Sequence, residues 1–185
     1  MAAPRVKRFG YYARLSPELK LVYRASDAVG EVELCRPEAL AVLVAPLRAA
    51  LASGERADVQ RAAGKLCKAL LVDLGVPPVD LEVLEARPRG DYGELHGLYT
   101  YDLPDKPRIQ VWMKTAAKAK PVAWKSFLRT LLHEIGHHLD FHLLKLADSL
   151  HTQGFYRRET SLFDQLVPDG GDAPLPPQLG LPGLE

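Results

Sequence analysis

His133, Glu134 and His137 stand in the order His-Glu-x-x-His, within Thr130-Leu-Leu-His-Glu-Ile-Gly-His-His-Leu-Asp140. On an α-helix, side chains at i and i+4 share one face, about 5–6 Å apart at Cβ. Two imidazoles held in that way can direct one nitrogen each at a single zinc ion, at Zn–N distances of about 2.0–2.1 Å. Glu134, adjacent to the first of them, can reach a water on the same metal and take its proton. The expected chemistry is zinc-dependent hydrolysis, with peptide bonds as the expected substrate.

A catalytic zinc site needs three protein ligands and one open position. Two residues beyond the helix could supply the third: His151, fourteen positions past His137, and Glu159, one turn into the last predicted helix. His142 is poorly placed, because five residues past His137 on the same helix it faces another way. Asp140, at i+3 from His137, suits a supporting carboxylate that fixes an imidazole tautomer.

The elements that must carry these residues follow from apolar spacing. Leu128, Leu131, Leu132, Ile135, Leu139, Leu143 and Leu146 recur at threes and fours. This spacing predicts an amphipathic helix of more than 25 residues, from Pro121 or Val122 to about Ser149. Gly136 within it costs about 1 kcal/mol relative to Ala, which implies close packing at that point. A short helix over Phe155–Val167 follows, with Leu162, Phe163 and Leu166 inward and Pro168 as its stop. Upstream, Glu38–Ala52, broken softly at Pro46, and Glu55–Leu74, capped by Gly75, predict a helical hairpin on one side of a sheet. Strands are expected over Val79–Ala86, Glu94–Tyr101 and Arg108–Met113, with turns at Pro88–Gly90 and Asp102–Pro107. Prolines and lysines around Arg108–Met113 suggest an edge strand able to pair with an extended peptide. Nearer the N-terminus, Leu19–Tyr23 and Gly30–Leu34 both read as strands.

Size and composition agree with one domain. The 185 residues are 47% hydrophobic and 25% charged, and the net charge is +1. That balance gives no global drive toward nucleic acid or anionic membrane. Charge is uneven locally: Lys106, Arg108, Lys114, Lys118, Lys120, Lys125 and Arg129 follow one another with no Asp or Glu between them. Such a run is ordinarily a solvated face; the alternative is a weak nucleic-acid contact with Trp112 and Trp124 as stacking surfaces. Cys35 and Cys67 have no metal-type spacing and suggest no disulfide framework, which favours a reducing compartment. With no signal-peptide pattern and no long apolar run, a cytoplasmic location is expected. The expected division is a domain over 1–168 and a Pro/Gly-rich, disordered tail over 169–185.

Leu132-His-Glu-Ile-Gly-His137 followed by His151-x-x-x-Phe155 resembles the SprT-like and related zincin metallopeptidases. The resemblance implies an α+β zincin-like fold, Zn2+ held by His133, His137 and His151, and Glu134 as general base. It also implies a substrate strand along the sheet edge above the metal, near Tyr99, Tyr101 and His96. In SprT-like proteins the substrate can be protein crosslinked to DNA, which would suit a basic run that contacts nucleic acid. Glu159-Thr-Ser-Leu-Phe163 is similar to the glutamate helix of ImmA/IrrE-type gluzincins, which would make Glu159 the third ligand. Each resemblance covers about the last third of the chain. His151 is preferred, because neutral imidazole is the commoner zinc ligand and a loop can turn it inward. The competing functional readings are an inactive regulatory or nucleic-acid-associated protein that keeps the metal as a staple, and a non-peptide amidohydrolase.

Overall fold

The computed structural model describes residues 8–90, 93–101, 106–115, 120–168 and 170. Three expectations from the sequence therefore lie wholly or partly outside the described residues: the turn at 102–105, Lys118, and the tail at 169 and 171–185. After a 3-10 turn (Gly10–Arg14) come α1 (Pro17–Ala28), α2 (Pro37–Ala41), α3 (Val44–Ser53) and α4 (Arg56–Asp73). Next come β1 (Asp80–Ala86), β2 (Arg89–Gly90), β3 (Gly93–Glu94), β4 (Gly97–Thr100) and β5 (Arg108–Lys114), then α5 (Trp124–His142) and α6 (Gln153–Leu166). The fold is α+β with a small mixed sheet in the order β1-β5-β4, and β2 and β3 form a separate two-stranded ribbon.

The N-terminal strand expectation is overturned, since Leu19–Tyr23 lies within α1. A short apolar run is ambiguous alone, and here the flanking signals decide. Ser16 caps the helix by accepting from the Leu19 N–H at 3.2 Å, Pro17 occupies the first turn and Glu18 favours the positive end. Gly30–Leu34 alternates as expected, with Val32 and Leu34 buried, but has no strand partner among the described residues. The Gln165 side chain takes that place, accepting from the Leu34 N–H at 2.9 Å and donating to the Val32 carbonyl at 2.8 Å. The break in the next helix falls at Val42–Leu43 rather than at Pro46. Pro46 thereby enters the first turn of α3, where its missing N–H leaves no helical bond unmade.

A second correction concerns β5. It is the central strand, parallel to β1 and antiparallel to β4, with Val111 opposite both Val83 and Gly97. Its flanking prolines and lysines suggested an edge, but Ile109, Val111 and Met113 are 0% exposed. A strand paired on both sides, with one face fully buried, lies inside the sheet and not at its edge. Trp112 is buried as well, at 7%, and offers no stacking surface.

The two outer strands differ. Along β1, Gln60 of α4 donates to the Leu81 carbonyl at 2.8 Å and accepts from the Val83 N–H at 2.6 Å. Arg56 donates to the Val83 carbonyl at 3.2 Å. Side chains thus satisfy the backbone groups that another strand would use. Among the described residues β4 has no strand on its outer side, and it packs on α5.

The third correction is the end of the long helix. α5 has 19 residues and stops at His142. The Leu143 and Leu144 N–H groups both bond the Leu139 carbonyl, and Lys145 takes a left-handed φ of 55°. The chain turns back, so Leu143 lies 37% exposed instead of continuing the apolar stripe. Residues 146–152 then return beside α5 and lead into α6. The buried stripe of α5 (Leu128, Leu131, Leu132, Ile135, Leu139) and Val59, Leu66 and Leu70 of α4 belong to one core with Val83, Ile109 and Val111 of the sheet. Cys35 and Cys67 are free thiols. Among the described residues no helix is long and apolar enough to cross a membrane.

Candidate metal centre

Helical spacing places His133 and His137 on one face of α5, with ring centroids 5.0 Å apart. The returning loop brings His151 to them. Its Nε2 lies 3.0 Å from His133 Nε2 and 3.2 Å from His137 Nε2. Nitrogens bound to one tetrahedral zinc at about 2.0–2.1 Å would stand about 3.3 Å apart, close to these separations.

The proton arrangement is equally informative. His133 Nδ1 lies 3.1 Å from the Glu159 carboxylate, an acceptor, so it carries the ring proton. The Ser149 hydroxyl donates to Asp140 at 2.7 Å, leaving its oxygen to accept from His137 Nδ1 at 2.7 Å. Both helix imidazoles are therefore fixed with their Nε2 lone pairs facing His151. Three imidazole nitrogens converging at 3.0–3.2 Å make a donor set that suits a divalent transition metal.

The support for these rings reaches across the fold. Asp140 and Arg158, 0% and 1% exposed, form a 2.6 Å ion pair. Arg158 also donates to the carbonyls of Ser26 and Val29 at the end of α1, each at 2.6 Å. The loop before α6 is clamped by the same end of α1: Asp27 accepts from the Gly154 N–H at 2.8 Å, and Ser26 meets the Thr152 hydroxyl at 3.2 Å. A Cβ on Gly154 would lie 2.5 Å from the Ser26 carbonyl oxygen, so the close approach of these segments requires glycine. The Tyr11 hydroxyl donates to the His151 carbonyl at 2.6 Å. Phe155, 1% exposed, forms the floor, with its ring 5.0, 4.8 and 5.2 Å from those of His133, His137 and His151. It also packs on Gly136, which explains the glycine inside α5.

Glu134 is 5% exposed and lies against β4. Burial pushes its carboxyl up to about 7, against the opposing influence of His133 and of the Tyr99 N–H that hydrogen-bonds it. A carboxylate poised there can exchange protons near neutrality. His137 is held down to about 3, first by burial and then by the charges of His133 and His151. The His151 ring is lowered as well, chiefly by burial. Neutral imidazole is the form that binds metal.

His133, Glu134, His137 and His151 meet at this cleft, whereas Glu159 stands behind His133 instead of among the three facing nitrogens, and Asp140 reaches His137 only through Ser149. The other oxygen of Glu159 is 3.7 Å from Arg129, whose guanidinium covers the Phe163 ring at 3.9 Å. Tyr99 and Tyr101 line the cleft, whereas His96 is exposed and does not. His142 faces Tyr101 and His138, away from the cluster. The basic run is dispersed: Lys114 pairs with Glu85, and the Trp124 ring lies 5.5 Å from Arg48 and 5.7 Å from Lys125.

Sequence reasoning missed Ser149, Arg158, Tyr11 and His138. His138, 0% exposed, lies 2.9 Å from the Pro77 carbonyl and 3.1 Å from the Tyr99 hydroxyl. Only Arg158 carried a signal, as an arginine on the otherwise apolar inner face of α6. Comparisons with protein-family models, curated proteins and solved structures return no match to this chain.

Proposed function

We propose that this chain is a zincin-like metallopeptidase in which His133, His137 and His151 hold zinc and Glu134 is the general base. The observation that carries this reading is the meeting of three imidazole Nε2 atoms beside a buried carboxylate, at an open sheet edge. Zinc bound there would supply Lewis acidity, lowering the pKa of a water and polarising a peptide carbonyl.

The remaining work falls to the protein. Glu134 takes the proton of the attacking water and returns it to the leaving amine. Its burial and the Tyr99 N–H fix where that carboxylate points. Glu159 and the Ser149–Asp140–Arg158 chain keep the His133 and His137 rings turned toward the centre. Because β1 is sealed by Gln60 and Arg56, an extended substrate adds to the sheet along β4, which passes directly over Glu134.

Metal content and peptide hydrolysis test the reading together. Wild type is expected to bind one zinc and cleave peptides, Glu134→Gln to keep zinc and lose cleavage, and His133→Ala to lose both. Undiminished hydrolysis by Glu134→Gln would remove it from the role of base.

A further inference from the structure

We infer that the cleft beside the histidines receives a lysine or arginine side chain of the bound peptide, with Asp148 as its counter-ion and Tyr99, Tyr101 and Phe141 as its walls. This inference rests on the peptidase reading and names the substrate class that the site selects.

The cleft has a volume of about 380 Å3. Three of its lining rings form a continuous aromatic wall. Tyr99 and Phe141 are stacked 6.1 Å apart, Tyr101 and Phe141 lie 5.4 Å apart, and Tyr99 and Tyr101 are separated by 6.4 Å. Ring faces carry negative charge and attract cations, and the aliphatic stem of a lysine or arginine packs well along them.

The charge of the cleft points the same way. Its lining includes two carboxylates, Glu134 and Asp148, and no lysine or arginine among the described residues. Glu134 is occupied by the Tyr99 N–H and is required for proton transfer. Asp148 is different. Its Oδ1 accepts from the Ser149 N–H at 2.7 Å, which fixes the carboxylate, and it has no ion-pair partner among the described residues. Arg129, a cation one turn before His133, is turned away onto Glu159 and Phe163. A half-buried carboxylate without a cation, next to an aromatic wall, is complementary to a basic side chain and repels an acidic one. Ser149 also holds His137, so this recognition lies immediately beside the scissile bond.

The test separates binding from turnover. Zinc-loaded Glu134→Gln is titrated with peptides in which one lysine or arginine is moved stepwise along a neutral sequence, each matched to glutamine and glutamate counterparts. At the favoured position the basic peptide is expected to bind about tenfold more tightly than the glutamine peptide. Asp148→Asn in the same background is expected to erase the difference, and Asp148→Lys to invert it toward glutamate. Zinc content of each variant reports an intact centre. Equal binding at every position, or a preference that survives Asp148→Asn, overturns the inference. If wild type cleaves these peptides without regard to charge, the peptidase reading stands and this inference falls. A preference that depends on Asp148, with no cleavage by wild type, keeps the counter-ion role and removes the peptidase reading.

Discussion

The backbone of Gly97 lies directly against the Glu134 carboxylate. A Cβ built on that glycine would overlap the carboxylate oxygen and come within 2.8 Å of Cγ. Strand β4 therefore sets the position of Glu134, the proposed general base, by contact as well as through the Tyr99 N–H. Gly97→Ala is expected to displace Glu134 and lower peptide hydrolysis about 100-fold, as misplacement by about 1 Å can. Zinc content should be unchanged, because Gly97 supports none of the three histidines. Metal analysis and initial rates on the same preparation check both halves.

His151 and Glu159 are expected to behave differently when truncated. His151→Ala removes one of three facing nitrogens and should abolish retention of zinc through gel filtration. Glu159→Gln keeps a hydrogen-bond acceptor behind His133 and should weaken zinc about 10-fold, at the low end for such supporting groups. Competition against a chelator measures both, and equal losses in the two variants would point to Glu159 as a ligand.

The chain from Arg158 through Asp140 and Ser149 to His137 predicts a graded series. Ser149→Ala should weaken zinc about 10–100-fold with little change in the stability of the metal-free protein. Arg158→Met leaves Asp140 buried without its cation and should cost about 3–5 kcal/mol of folding stability. Adding Asp140→Leu to Arg158→Met should recover part of that loss, which denaturant unfolding of the single and double variants can show.

In the metal-free protein, His138 should make stability depend on pH. Burial lowers its imidazole to about 4, against the raising effect of the Pro77 carbonyl. The folded state thus takes up its proton at lower pH than the unfolded chain, which titrates near 6.5. The contribution is complete above about 6.5 and is lost as pH falls toward 4, amounting to about 3 kcal/mol. His137 and His151 add in the same direction. His138→Gln should make the slope of unfolding free energy between pH 6.5 and 4 shallower by up to about 1.4 kcal/mol per pH unit. Parallel slopes in the two proteins would argue against this account.

The meeting of the candidate site residues was legible because it is local. His133, Glu134 and His137 are placed by helix geometry alone, and the short return to His151 limits where that ring can go. Gly136 correctly signalled a close neighbour, which is Phe155. The supporting residues were not legible, since Arg158 meets Ser26 across 132 positions and Tyr11 meets His151 across 140. No spacing rule reports contacts of that kind. The errors in the fold have similar causes. Leu143 and Leu146 continue the helical spacing past the true end of α5, and no glycine or proline marks the stop at Lys145. For β5, flanking residues suggested an edge, and its own alternation of apolar Ile109, Val111 and Met113 with Arg108, Gln110 and Lys114 does not tell an edge from a centre.

The seal that Gln60 and Arg56 place along β1 has a consequence for self-association. Growth of the sheet from one molecule to the next is closed on that side, so two copies joining by strand addition must meet at β4. A dimer formed in that way would bury both proposed substrate grooves at once. Concentration alone would then act as an inhibitor, and dilution would restore activity.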